Sequence, residues 1–233
     1  MPVYLLGSRP VFPPGELAEK SGLLAIGGDL SKERLLKAYR HGIFPWYNPG
    51  EPILWWCPDP RLVLFPKRLH VSRRLKRTIR KGLFRVTFDM AFPQVIRYCA
   101  QIRIEQGQGT WLTEEMIRAY THLHELGYVH SVETWIDDQL VGGLYGLCLG
   151  RVFFGESMFY KQTNASKIAF VALVKQLEDW DFALIDCQVV TSHLIRFGAT
   201  PIPRKRFLRM LPKLINQSSK APQGLWKCIT PQG

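Results

Sequence analysis

Long apolar runs are absent from this sequence, and cysteine is scarce. No stretch approaches the roughly 18 apolar residues that a membrane-spanning helix needs, which argues against an integral membrane protein. The first residues show no basic segment followed by an apolar one, so we expect no signal peptide and a cytoplasmic location. The five cysteines are widely spaced and form no CxxC pair, which indicates free thiols and not a disulfide framework or a zinc site.

Acidic residues are missing from two long parts of the chain. Residues 61–85 contain ten Lys and Arg and no Asp or Glu, and residues 187–233 contain eight and again no acid. The rest of the chain holds 13 basic and 19 acidic residues, so the net charge of +12 comes from these two blocks. This distribution favours a surface that binds a polyanion, and we expect nucleic acid in preference to an anionic membrane.

The first 60 residues are rich in Pro and Gly, and one clear helix is predicted among them. Ser31 is its expected N-cap, and Gly42 ends it. The segment is too small and irregular to form a large core of its own. We therefore predict a small N-terminal subdomain of residues 1–60 packed on a main domain of residues 61–233.

The main domain shows the pattern of an α+β protein. Four of its predicted helices follow residues that can act as N-caps, namely Ser72, Asp89, Thr113 and Asn164. Three antiparallel strands are predicted between residues 128 and 154, and a buried strand at 182–188 precedes a short helix, a short strand and a basic helix. This order, of the α/β three-layer type, is expected of an N-acetyltransferase-like (GNAT) domain.

Tryptophans cluster beside the first basic block. Aromatic side chains on loops near cations can stack on nucleotide bases. We expect this of Trp46, whereas Trp55 and Trp56 are more typical of core residues in a small subdomain. Trp111, in the segment GTWLT, directly precedes a predicted helix N-terminus that could receive an anion. It is a second candidate for stacking, with hydrophobic packing on the helix as the alternative.

A lone carboxylate interrupts the apolar segment FFGESMF (Phe153–Phe159). Glu156 needs a partner or a function in such surroundings. It either forms a structural salt bridge or holds a substrate, and we favour the substrate. Phe153, Gly155 and Met158 would then line an apolar pocket beside it.

Two further polar residues lie in the predicted buried strand LIDCQV (Leu184–Val189). Asp186 and Gln188 are two residues apart, so they should point to one face, with Ile185 and Cys187 on the other. Buried polar groups are costly unless they are paired or used. The alternatives are a catalytic pair and a polar patch paired with Asn164 or Lys167.

Together these segments resemble the leucyl/phenylalanyl-tRNA–protein transferase family of the bacterial N-end rule pathway. The resemblance spans nearly the whole chain, and its motifs are long and ordered. They are GLLAIGGDLS, GIFPWY, ILWWCPDPR, GTWLT, LHELGYVHSVE, LVGGLYG, FFGESMF, NASK, LIDCQV and a G-A-x-x-I-P-R run ending at Arg204. Two departures are Cys57, where the family pattern has Ser, and a slightly longer approach to Trp111.

The resemblance implies a monomeric enzyme that uses neither metal nor coenzyme. It implies transfer of Leu or Phe, and less well Met, from aminoacyl-tRNA to proteins that begin with Arg or Lys, which are then passed to the Clp degradation system. Trp46 and Trp111, with Tyr39, would hold the terminal adenosine, and Glu156 would anchor the aminoacyl end. A row of cations on one predicted helix would bind tRNA phosphates: Arg73, Arg74, Lys76, Arg77, Arg80 and Lys81.

The chemistry expected of the pair in LIDCQV is aminolysis of an ester. The enzyme must position the amine, accept a proton and stabilise an oxyanion. Because an amide is a very poor base, we expect Asp186 to handle the proton, directly or through water, and Gln188 to orient the amine. The family resemblance also allows a relay through Gln188.

Two rival functions are consistent with parts of this pattern. An acyl-CoA-dependent acetyltransferase would need a glycine-containing pyrophosphate turn before the long helix, and residues 160–164 contain no glycine. A non-catalytic RNA-binding protein would use the same basic helix and tryptophans. It would leave Glu156, Asp186 and Gln188 without a role.

Overall fold

The computed structural model describes residues 3–105 and 111–229. Gly109 and Thr110 of the GTWLT segment lie outside these described residues. Within the described ranges, no helix has both the length and the hydropathy of a membrane span. Cys57, Cys148 and Cys187 are free thiols.

A four-stranded sheet is built within the first 56 residues. Its strand order is β1-β2-β4-β3, with β1 parallel to β2. The strands are β1 Tyr4–Leu6, β2 Leu23–Gly27, β3 Phe44–Pro45 and β4 Leu54–Trp56. The predicted helix is α1 (Lys32–Arg40), and its cap is confirmed because the Oγ of Ser31 accepts a hydrogen bond from the backbone N–H of Arg34.

An eight-stranded sheet forms the centre of the remaining chain, in the order β11-β5-β10-β9-β8-β7-β6-β12. The strands β9 and β10 run parallel, and the other neighbouring pairs described in this sheet are antiparallel. The strands are β5 Arg61–Leu64, β6 Arg85–Phe88, β7 Val129–Ile136, β8 Gln139–Leu149, β9 Val152–Tyr160, β10 Leu184–Gln188, β11 Thr200–Ile202 and β12 Cys228–Ile229. The strand β9 therefore continues beyond its predicted end, and Glu156 lies inside it.

Helices cover both faces of this sheet. They are α2 Arg73–Arg80, α3 Phe92–Glu105, α4 Glu114–Glu125, α5 Ala165–Asp179, α6 Ser192–Ile195 and α7 Arg204–Ile215. Successive strand residues alternate between two apolar clusters, so that Phe153 packs towards α5 and Phe154 towards α3, α4 and α7. The architecture is a mixed α+β fold of three layers, as the sequence predicts. The division into domains at residue 60 stays a prediction.

Not all of the predicted N-cap residues cap the helices that follow them. Ser72 and Thr113 accept backbone hydrogen bonds at the starts of α2 and α4, as expected. Asn164 has a left-handed backbone and makes no side-chain cap. The expectation for Asp89 is wrong, because its buried carboxylate accepts hydrogen bonds from the backbone of Ser131 and Trp226 and pairs with His130.

Candidate active site

The site lies where the parallel strands β9 and β10 separate. Their described pairing ends at Asp186 and Phe154. Beyond this point, β9 carries a bulge at Glu156, since Tyr145 pairs with Ser157 and the next residue of β8 pairs with Gly155. Strand β10 is also irregular there. Because neither strand completes the ladder, side chains of both can meet around a cavity.

Glu156 is the centre of a hydrogen-bond network. Its Oε1 accepts from the Tyr39 hydroxyl at 2.7 Å and from Nε2 of Gln188 at 2.8 Å, and its Oε2 accepts from the Tyr120 hydroxyl at 3.2 Å. The two tyrosine hydroxyls also contact each other. Burial raises the pKa of Glu156 to about 7, although these hydrogen bonds favour the charged form. The carboxyl group can therefore gain or lose a proton near neutral pH.

Asp186 forms a fully buried ion pair that the sequence did not reveal. Its two carboxylate oxygens accept from Nε and Nη2 of Arg61 at 2.8 and 2.6 Å, and neither side chain has exposed surface. The guanidinium lies over the rings of Phe44 and Phe207. Asp186 therefore lies behind the surface of the site, and its role in handling the proton stays a prediction. The alternative partners Asn164 and Lys167 are wrong, because Asp186 pairs with Arg61.

Gln188 is held at both its backbone and its side chain. Its backbone N–H donates to Oδ1 of Asp186 at 2.9 Å, and its φ of 61° is unusual for a residue with a side chain. Its Nε2 donates to Glu156, which assigns the amide orientation and leaves Oε1 as the hydrogen-bond acceptor. The Arg61–Asp186 pair thus fixes the backbone that presents this amide.

A cavity of about 250 Å³ opens beside Glu156 and Gln188. The predicted lining residues Phe153, Gly155 and Met158 all border it. Additional apolar walls come from Leu144, Phe170, Leu173, Ile185 and Cys187. The structure therefore brings Glu156, Gln188 and the predicted apolar lining together, with Asp186 behind them.

The aromatic residues predicted to hold adenosine differ in exposure. Tyr39 has no exposed surface, and its hydroxyl donates a hydrogen bond to Glu156. Trp46 is 47% exposed and Trp111 only 8%. A hydrogen bond of 3.3 Å between the hydroxyls of Tyr47 and Thr113 links the segments that carry them. Their contact with adenosine stays a prediction.

The other two tryptophans of this region belong to the small sheet. Trp55 is completely buried and donates its Nε1–H to the carbonyl of Gly27, as expected of a core residue. Trp56 donates to the carbonyl of Trp46 at 2.7 Å, and the two rings are 5.7 Å apart. Trp56 thereby fixes the backbone from which the exposed Trp46 ring projects.

The predicted cations of α2 all lie on the surface. Arg73, Arg74, Lys76, Arg77, Arg80 and the adjoining Lys81 are exposed. None of them takes part in an ion pair among the described residues. An unpaired row of cations is the arrangement that phosphate binding needs.

Two site residues were missed by the sequence analysis. The sequence analysis placed Arg61 in the basic block and at the end of the motif ILWWCPDPR but gave it no role of its own. Its position at the start of the apolar strand RLVL was the available signal. Tyr120 lies in α4 among other apolar residues, and no local pattern separates it from them.

Comparison with known proteins identifies the family. A family model described as "Leucyl/phenylalanyl-tRNA protein transferase" matches residues 63–212, and a model of its N-terminal domain matches residues 28–59. This chain belongs to the leucyl/phenylalanyl-tRNA–protein transferase family. The assignment makes it an aminoacyltransferase.

Relatives of the transferase align along nearly its full length. The protein of this family from Cellvibrio japonicus is 57% identical over 95% of this chain and 94% of its own. Those from Syntrophobacter fumaroxidans and Magnetococcus marinus are 58% and 53% identical, over 92% and 99% of both chains. A solved structure titled as L-PGS from Bacillus licheniformis is 10% identical over 72% of this chain and 54% of its own, with a TM-score of 0.40, which carries no argument.

The buried ion pair of the transferase generates a stability prediction. Replacing Asp186→Asn should lower the free energy of unfolding by about 3–5 kcal/mol, because Arg61 then stays buried without a counter-charge. The double change Arg61→Met with Asp186→Leu should recover most of this loss, since apolar residues remove both charges. Urea unfolding followed by circular dichroism measures both. An unchanged midpoint in the Asn variant would contradict the described pairing.

Proposed function

We propose that the transferase moves Leu or Phe, and less well Met, from aminoacyl-tRNA to the N-terminal amine of proteins that begin with Arg or Lys. The observation that carries this proposal is the contact between Gln188 and Glu156, both of which line an apolar cavity. A cavity of this kind can take one apolar side chain, and its polar rim can hold the atoms attached to it. The proposal includes delivery of the tagged protein to Clp proteolysis.

The proposed reaction forms an amide and breaks an ester. The neutral amine nitrogen attacks the carbonyl carbon of the aminoacyl ester, and the bond to the ribose oxygen breaks. One proton leaves the amine and one is taken up by the ribose oxygen, so the two can be the same proton. Since this exchange needs no strong activation, orientation and proton transfer are the main contributions required of the protein.

Gln188 is the orienting group in this mechanism. Its Nε2 is engaged by Glu156, and its Oε1 is therefore an acceptor for the N–H of the incoming amine. Its backbone is held by Asp186, whose charge Arg61 balances. Asp186 and Arg61 are positioning residues, because they act on the substrate only through Gln188.

Glu156 is the proposed proton acceptor and the anchor of the aminoacyl end. It borders the cavity, whereas Asp186 is enclosed by protein. A carboxyl group with a pKa of about 7 can accept a proton from the amine and return it to the ribose oxygen at neutral pH. The bonds from Tyr39 and Tyr120 fix its position during this exchange.

The apolar cavity supplies the selectivity in this proposal. Aromatic and branched side chains from both strands and α5 form its walls, which suits an unbranched Cβ followed by a larger group. The cavity can reject β-branched Ile and Val by shape. A misplaced methyl group changes the binding free energy by only about 1–3 kcal/mol.

The same proposal covers the fold, the domain organisation and the location of the enzyme. The main domain is proposed as N-acetyltransferase-like, and the parallel strands that separate at the site support this assignment. The small sheet and residues 61–233 are proposed as two subdomains of one monomer. The enzyme is proposed to act in the cytoplasm without a metal or coenzyme.

Transfer activity is the direct test of the proposed function. The purified protein, Phe-tRNA carrying labelled Phe and a peptide beginning with Arg should yield a peptide extended by Phe, as measured by mass spectrometry. The variant Arg61→Met with Asp186→Leu, which keeps most of its stability, should transfer at least about tenfold more slowly because Gln188 loses its anchor. A peptide with acetylated N-terminus is the control, and its extension would overturn the proposal.

Ionisation of Glu156 should appear in the pH dependence of transfer. The pKa of about 7 lies above the ordinary 4.5, so the active carboxylate is lost as the pH falls through 7, and kcat/KM should fall with it. Glu156→Gln should lower kcat/KM and lack this inflection. The titration of the acceptor amine near pH 8 is common to both proteins and serves as the internal control. An inflection near 7 that persists in the Gln variant would remove Glu156 as the proton acceptor.

The cations of α2 should govern the salt dependence of tRNA binding. Replacing Arg73, Arg77 and Arg80 with Ala should weaken binding and reduce the slope of log K against log salt by up to about three. Filter binding at several salt concentrations measures this slope. If the slope does not change, the main phosphate-binding surface lies elsewhere, and the basic helix α7 becomes the next surface to test.

A further inference from the structure

A second cavity lies between α2, α5 and α6, outside the site described above. Its volume is about 400 Å³, and its lining residues include Arg74, Lys167 and Arg196 together with His70 and His193. The described lining contains no Asp or Glu. Three basic side chains therefore line this cavity without an acidic residue among the described lining residues.

The walls of this cavity add further positive character. The N-terminal residues of α5 border it, and no side chain caps that helix end. Helix N-termini carry partial positive charge and favour anions. Burial and the nearby charges of Lys167 and Arg196 lower the pKa of His193, which reflects the same positive surroundings.

His193 also connects this cavity to the amino-acid cavity, since it lines both. Its ring packs against Phe197, and its Nε2 is buried without a hydrogen-bond partner among the described residues. Arg74 connects the cavity in the other direction to the exposed cations of α2. The cavity is thus placed between the site of chemistry and the surface proposed to bind tRNA.

We infer that this second cavity binds a phosphate group, and that the phosphate is a backbone diester of the acceptor arm of the aminoacyl-tRNA. The assignment to tRNA rests on the proposed function, whereas the anion site itself rests on the cations in the cavity. Lys167 is the central residue, because it is set on the first turn of α5 and its Nζ is 3.4 Å from Oδ1 of Asn164. A diester phosphate there would fix the donor strand relative to the apolar cavity.

The test compares Lys167→Glu with Lys175→Glu. Lys175 lies in the same helix two turns later, is exposed and lines neither cavity, so it is a matched control for charge and helix. Each protein is assayed with Phe-tRNA and with phenylalanyl-adenosine, a donor that has no phosphate. Lys167→Glu should lower kcat/KM for Phe-tRNA about tenfold more than for phenylalanyl-adenosine, and reduce the salt slope of tRNA binding by about one. The control Lys175→Glu should change kcat/KM by the same factor for Phe-tRNA and for phenylalanyl-adenosine.

The possible contrary results distinguish a failure of the phosphate site from a failure of its assignment to tRNA. Equal losses with both donors would overturn the phosphate site. If the parent protein transfers from neither donor, the proposed function fails, and binding of uncharged tRNA to the two Glu variants still decides the site. The third contrary result is that the parent protein binds inorganic phosphate tightly, that Lys167→Glu alone loses this binding, and that tRNA binding does not change. This result would overturn the assignment to tRNA in favour of a free phosphate.

Discussion

The buried pair of Arg61 and Asp186 is the interaction on which the rest of the site depends. A charge without exposed surface is unfavourable unless a partner balances it, and here two hydrogen bonds satisfy both carboxylate oxygens. The guanidinium is in turn enclosed by Phe44 from the small sheet and Phe207 from α7. The pair therefore joins distant parts of the chain at one point, and the backbone of Gln188 takes its position from it.

The chemistry of the site depends on the different surroundings of its two carboxyl groups, Asp186 and Glu156. Asp186 pairs with a neighbouring cation, whereas Glu156 receives only neutral hydrogen-bond donors, and burial raises the pKa of Glu156 to about 7. Asp186 thus has a structural contact with Arg61, and Glu156 remains able to exchange a proton near neutral pH. The same functional group, a carboxyl, serves two purposes because Asp186 faces an arginine and Glu156 borders a cavity.

Much of the architecture could be predicted because helix starts and strand alternation are local signals. The N-caps Ser31, Ser72 and Thr113 could be predicted from the adjacent residues of the sequence, and so could the position of the apolar pocket. The partner of Asp186 could not be found in this way, since it lies 125 residues earlier and resembles the basic residues around it. Asp89 was misassigned for the same reason, because its partners are on another strand and near the end of the described chain.

The separation between the two members of the ion pair also bears on how the protein is made. Asp186 is 125 positions after Arg61, so a ribosome that adds roughly 5–20 residues per second needs about 6–25 seconds after Arg61 before it adds Asp186. During this interval the guanidinium lacks its counter-charge, and β5 has no neighbour from β10 or β11. The apolar strand β5 therefore cannot be paired as in the finished sheet until the last quarter of the chain is being made.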